Sequence, residues 1–235
     1  MSSMLASVSN LHEALQAESL NVDIIDLKQP QSGALGALTD QEIRTIVRKL
    51  KPSSLISATV GDLPMEPDLL TAAVQKMGAT GVDYIKIGFF PEGDWTACLT
   101  ALSLFARHEH DIIVVLFADK QPDLSFIPKL AAAGIRGVML DTFDKKNGSL
   151  PDILSLSELK TFLQISKKVG LLSGLAGSLQ LRHLPDLLPL NADYLGFRGG
   201  ICQQLERTAA LDPQKIIAIR ELLVHYNIPE YSQMV

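Results

Sequence analysis

Short runs of isoleucine, valine and leucine recur along this chain, each followed by an amphipathic stretch, and from Leu27 to Phe197 their ends fall roughly 23 to 33 residues apart. The runs at residues 5–8, 22–27, 55–60, 84–87, 112–117, 137–140, 170–173 and 194–197 read as strands. Helical periodicity follows at about 39–50, 66–76, 97–107, 123–133, 157–168, 179–188 and 213–225. Local signals agree. Thr39 and Glu42 have capping-box spacing, Pro67 stands where a first-turn proline is tolerated, and Gly134 and Gly170 follow helices as stops. Eight strands in alternation with helical stretches, the strands apolar on both faces, specify a parallel sheet covered by helices. The eightfold series predicts closure into one α/β TIM (β/α)8 barrel, a single domain over residues 1–235. An open doubly wound sheet is the alternative, but no GxGxxG or GxxxxGK[ST] loop follows an early strand.

Composition supplies the core and limits the partners. Apolar residues make up 47% and charged residues 20%, with mean hydropathy +0.20, which is too apolar for a disordered chain. The net charge of −5 argues against a nucleic-acid footprint, although a local basic pocket is compatible with it. Two cysteines, Cys98 and Cys202, exclude a disulfide scaffold and a four-thiolate metal site. The chain opens without a basic segment leading into an apolar one, and its longest apolar run, 112–118, is far short of a membrane span. A cytoplasmic protein with no membrane partner is the expectation. A homo-oligomer is compatible with the sequence, which does not set the oligomeric state.

In such a barrel the chemistry stands where strands end and loops begin. Those positions hold lysine and aspartate. Strand two ends IIDLKQP, so Asp26 and Lys28, two apart, leave the same face of the strand. Strand four carries Lys86 between isoleucines, where an unpaired ammonium would be costly. Strand five ends with Asp119 and Lys120, and strand six with Asp141, Asp144, Lys145 and Lys146. A lysine whose ammonium is destabilised by burial or neighbouring cations can form a Schiff base with a carbonyl. A second lysine or an aspartate can then move the protons. The five histidines form no zinc motif, so neither a metal nor a cofactor is expected, although Asp26, Asp119 or Asp141 leave a magnesium site open.

The last two loops suggest an anion site. LAGSL places Gly177 and Ser178 after strand seven, and GFRGGIC places Arg198, Gly199 and Gly200 after strand eight. Barrels commonly hold phosphate there on exposed backbone N–H groups, and an arginine can add charge-assisted bonds. Loop 29–38, with Gly33 and Gly36, and segment 144–152 are candidates to cover a substrate, and Asp62 could reach the mouth. Trp95 and Phe105 read as packing or interface residues.

Taken together, DLKQP with SGALG at 26–36, SATVGDLP at 57–64, YIKIG at 84–88, LDTFDK at 140–145, LAGSL and GFRGGIC run in order along nearly the whole chain. This set resembles the (5-formylfuran-3-yl)methyl phosphate synthase family. The resemblance implies a class I aldolase-like lyase built on a TIM barrel. Such a lyase joins two glyceraldehyde 3-phosphate molecules, with loss of phosphate and two waters, to a furan for methanofuran-type cofactors. By motif, Lys28 would form the Schiff base and Lys86 would act as acid and base. Asp26 and Asp141 would be the acidic pocket residues, while Lys120, Lys145 and Arg198 would hold phosphate. The residues alone favour Lys86 as the imine-forming lysine at least as strongly as Lys28.

Overall fold

The computed structural model describes residues 2–50, 54–106 and 110–226. Arg107, at the end of the helix expected over 97–107, and His108 lie outside them. Eight parallel strands close on themselves in chain order: β1 (Ser3–Val8), β2 (Ile24–Leu27), β3 (Leu55–Thr59), β4 (Tyr84–Phe89), β5 (Asp111–Phe117), β6 (Gly137–Asp141), β7 (Leu172–Leu175) and β8 (Tyr194–Phe197). Closure is made by β1 against β8, with Ser3 opposite Tyr194 and Ala6 opposite Phe197. The (β/α)8 barrel expected from the rhythm is therefore the fold.

Alternation along each strand divides the core in two. In β4, Ile85, Ile87 and Phe89 face outward into the layer shared with the helices. Tyr84 packs into the barrel interior with Leu5, Ile113, Val115, Met139 and Tyr194. Lys86 therefore points inward as well, because it shares the face of Tyr84.

The outer layer contains α1 (Leu11–Ser19), α2 (Asp40–Leu50), α3 (Pro67–Gly78), α4 (Trp95–Ala106), α5 (Ile127–Ala132), α6 (Leu150–Ile153), α7 (Leu156–Lys168), α8 (Leu184–Leu187) and α9 (Pro213–Tyr226). The capping box before α2 forms as the spacing predicts: the Thr39 N–H and hydroxyl both donate to Glu42 Oε2, at 2.9 and 2.6 Å. No helix among the described residues is long and apolar enough to cross a membrane.

The differences from the sequence reading have local causes. The seventh strand starts at Leu172 rather than Gly170, because Gly170 at φ +75° and the Leu171 N–H, bonded to the Ser166 carbonyl, still belong to the end of α7. The helix expected over 179–188 is broken into a 3-10 turn at Leu181–His183, then α8, then another 3-10 turn at Leu188–Leu190. Pro185 and Pro189 remove N–H donors and crowd the preceding turn, so no single helix runs through. Pro128 has the same effect over 123–133, leaving a 3-10 turn at Leu124–Phe126 before α5.

Candidate active site

The register builds the floor of the mouth. Ser7 of β1, Asp26 of β2 and Ser57 of β3 are directly aligned, so their inward side chains meet in one layer. Asp26, fully buried, accepts from Ser7 Oγ at 2.7 Å, Ser57 Oγ at 2.6 Å and Lys86 Nζ at 3.0 Å. A carboxylate removed from water is tolerable only with such a set of partners. The strand-interior lysine expected to need a carboxylate partner has one in Asp26.

Lys28 is placed one residue beyond β2 by its own N–H, which donates to the Val8 carbonyl at 2.9 Å. Its Nζ lies 3.8 Å from Asp141 Oδ2, outside hydrogen-bond reach, although the side chain is only 6% exposed. Asp141 is held on its other oxygen by Lys145 Nζ at 2.6 Å and the Thr142 N–H at 2.7 Å. Lys145 also donates to the Thr142 carbonyl and hydroxyl. Burial pushes the Lys28 amine down, against the pull of Asp141 and with the help of Lys145 and Lys86, from 10.5 to about 7. Burial alone would raise the Asp141 carboxyl, but the Lys145 and Lys28 ammonium groups hold it well below the usual carboxylate range. The two inward lysines thus differ in kind. Lys86 is committed to a carboxylate, whereas Lys28 is a desolvated amine with room to react.

Lys28, Lys86, Asp141 and Lys145 line one cavity of about 240 Å³, together with Gly177, Ser178, Arg198, Gly199, Gly200 and Arg207. The glycines allow the seventh loop to close on the sixth and the eighth to close on the seventh. Gly177 has φ +108°, and a Cβ there would sit 2.8 Å from Thr142 Cγ2. A Cβ on Gly200 would stand 2.0 Å from the Leu179 carbonyl oxygen. Among the described residues, no protein acceptor is found for the backbone N–H groups of Ser178, Gly199 and Gly200. Backbone donors without a protein partner are what an anion site requires.

Other expected residues are placed differently. Arg198 lines the cavity, but its guanidinium is spent on the protein. Nε donates to the Arg207 carbonyl, Nη1 to the Ser7 carbonyl and Glu13, and Nη2 to Glu13 and the Ala209 carbonyl. All five of its N–H donors are thereby used. Lys120 stands outside the Lys28 cavity, over the Phe143 ring at 4.8 Å, beside a separate space of about 340 Å³ lined by Phe89, Trp95 and Phe126. Asp119 accepts from the Phe143 and Asp144 N–H groups at 2.6 and 2.8 Å, holding the sixth loop. Asp62 does the same for loop 29–38, accepting from Ala34 and Leu35 at 2.8 and 2.7 Å. Trp95 packs edge-on against Phe89 and Phe126.

Each carboxylate considered for magnesium is already engaged by cations, hydroxyls or backbone donors. No group of three or more His, Cys, Asp or Glu suited to a metal occurs among the described residues. Sequence reasoning missed Ser7, Ser57, Glu13 and Arg207. The two serines are ordinary strand residues, Glu13 is an ordinary helix residue, and Arg207 sits in a polar loop with no strand-end signal.

A family model described as 4-HFC-P synthase matches residues 4–220. A (5-formylfuran-3-yl)methyl phosphate synthase from Methanobrevibacter smithii is 33% identical over 93% of this chain and 98% of its own length. The enzyme of that name from Methanothermobacter thermautotrophicus is 32% identical over 94% and 98%. A relative from Methylorubrum extorquens is 38% identical over 91% of this chain and 88% of its own. Among solved structures, phosphoribosyl anthranilate isomerase from Thermus thermophilus superposes with TM-score 0.69 at 15% identity, covering 97% of this chain and 100% of that one. The 3-hexulose-6-phosphate synthase of Salmonella typhimurium gives 0.67 at 16%, covering 96% and 100%. At such identities these two structures speak for the fold alone.

Proposed function

This chain belongs to the 4-HFC-P synthase family, and on that premise we propose that it joins two molecules of glyceraldehyde 3-phosphate into (5-formylfuran-3-yl)methyl phosphate through an imine on Lys28. The observation that carries the mechanism is the state of that amine. With a pKa of about 7, about half of it is neutral at pH 7, on the order of a thousandfold more than for an unperturbed lysine. Neutral amine is the nucleophile, and an open cavity gives it access to a carbonyl.

Both triose phosphates are first enolised to the ketose form, with Lys86, on the cavity wall and hydrogen-bonded to Asp26 at 3.0 Å, moving the proton from C2 to C1. Lys28 adds to the carbonyl of one ketose and water leaves, giving an iminium ion. Loss of the C1 proton gives the enamine, which expels inorganic phosphate from C3 and, on losing the hydroxyl proton, leaves a nucleophilic terminal carbon conjugated with the nitrogen. That carbon bonds to the carbonyl carbon of the second ketose, which sets the branch of the product. The hydroxymethyl oxygen of the second triose closes the ring on the iminium carbon, the Lys28 amine departs, and the tertiary hydroxyl leaves as the second water to give the furan. The atoms of two trioses then equal those of product, one phosphate and two waters, and no external oxidant is needed. Asp141 stays ionised throughout and supports the cationic iminium beside it. The backbone donors after β7 and β8 are the natural seat of a substrate phosphate. The product's aromaticity draws the sequence forward and suits a role in methanofuran biosynthesis.

The test is turnover of purified protein with glyceraldehyde 3-phosphate, following furan absorbance and phosphate release together, alongside borohydride trapping and peptide mapping. A reduced adduct on Lys28 with one phosphate released per furan is the expected result. An adduct on Lys86 overturns the assignment of the nucleophile. An aldol product without phosphate release places the protein among simple aldolases.

A further inference from the structure

The two arginines of the eighth loop are in opposite situations. Arg198, first after the strand and nearly buried, has donated every N–H, including one at 2.6 Å to Glu13 and one at 2.7 Å to the Arg207 carbonyl. Arg207 is half-buried on the wall of the Lys28 cavity. Among the described residues, its guanidinium makes a single hydrogen bond, from Nη2 to the Gly33 carbonyl at 2.9 Å. Four of its five N–H donors are thus available. It also lies against the unpaired backbone donors: a Cβ on Gly199 would come within 3.8 Å of Arg207 Cβ and 3.9 Å of its nitrogen. The carbonyl of Arg207 is one of the groups that Arg198 holds, so the loop that carries the free arginine is fastened by the committed one.

We infer that Arg207 is the arginine that grips a substrate phosphate, closing the backbone cradle of Gly199, Gly200 and Ser178, and that Arg198 is a positioning residue that presents it. This rests on the proposed reading of the site for the identity of the substrate, but not for the chemistry of the ligand, a phosphate group. A planar fork beside unpaired N–H groups is suited to a tetrahedral dianion, with two parallel bonds from one side and backbone donors from the other. The cavity is otherwise supplied with cations already bound to carboxylates, Lys86 to Asp26 and Lys145 to Asp141, which leaves Arg207 as the cation with donors to spare for an oxyanion.

Inorganic phosphate is the probe, titrated calorimetrically into the full-length protein and its variants. Arg207→Met should weaken phosphate binding about 10- to 100-fold, the range for losing charge-assisted hydrogen bonds. Arg207→Lys, which keeps the charge but not the fork, should recover part of the loss and serves if the methionine variant folds poorly. Borohydride trapping of Lys28 with dihydroxyacetone, which has no phosphate, should be unchanged in both, while the KM for glyceraldehyde 3-phosphate rises. Arg198→Lys should weaken phosphate binding as Arg207→Met does, with trapping by dihydroxyacetone again preserved. Unchanged phosphate affinity in Arg207→Met overturns the inference, and so does a wild-type protein that fails to bind phosphate. Equal loss of dihydroxyacetone trapping also overturns it, since that would mark collapse of the site. If phosphate binding follows Arg207 but no furan is made, the subsite stands and the proposed reaction falls.

Discussion

Removing the charge of Lys145 should move the reactivity of Lys28 to higher pH. Lys145 acts on Lys28 in two ways, as a neighbouring cation that disfavours its protonation and as the 2.6 Å partner that occupies Asp141. In Lys145→Met both effects disappear together, and both changes favour the protonated amine. Two like charges 4 Å apart repel by about 4 kcal/mol at an effective dielectric near 20, and about half that at twice the separation. Taking about 2 kcal/mol as the scale gives about 1.5 pKa units, lifting Lys28 from about 7 to about 8.5. The neutral fraction at pH 7 then falls from about a half to about 3%, a loss of about 15-fold in imine formation. The assay is the initial rate of borohydride-trapped adduct with saturating glyceraldehyde 3-phosphate, read by intact mass from about pH 5.5 to about pH 10. The wild-type rate should climb through a limb near pH 7, and the variant limb should lie higher, with the two rates converging on the alkaline side. A limb that stays put or moves toward acid would refute the electrostatic account. A deficit that persists undiminished at high pH would do so too, because it would mean that Lys145 acts through contact with the substrate instead.

Two further outcomes follow from the buried groups and the loops. Asp26→Ala strands the Lys86 ammonium in the barrel interior and should cost about 3–5 kcal/mol in urea denaturation. The double replacement Asp26→Leu with Lys86→Met should recover most of that stability while abolishing turnover, and a double variant no more stable than the single one would contradict the assignment. Asp62→Ala releases the Ala34 and Leu35 amides, so their hydrogen exchange should accelerate by about 10- to 100-fold, while that of the β4 amides stays as it was. Equal acceleration in both places would show that Asp62 supports the whole fold, not loop 29–38 alone.

The barrel was legible in the order of the residues because its determinants are local. Apolar runs of strand length, amphipathic intervals and glycine stops act over a few residues, and eight repetitions leave little choice of topology. Period-two alternation likewise puts Asp26 and Lys28 on one face of the strand, and barrel closure makes that face the inward one. The boundaries that shifted did so where two local signals competed, with Gly170 serving the helix end rather than the strand start and the prolines of 179–190 dividing one helix into three pieces.

What the sequence could not decide was which charged group is committed and which is free. That depends on partners far along the chain: Ser7 and Ser57 lie 19 and 31 residues from Asp26, Lys86 lies 60 from it, and Glu13 lies 185 from Arg198. Closure of the barrel brings these groups within hydrogen-bond distance, and electrostatics then gives them separate roles. Lys86 takes the buried carboxylate, and Lys28, left 3.8 Å from Asp141, is desolvated without being bound. Arg198 is absorbed into the framework and Arg207 is left facing the cavity. Residue type and strand period fixed the chemistry available at the mouth, and only tertiary contact could distribute it, because a pKa and a free donor are properties of surroundings, not of a residue's place in the chain.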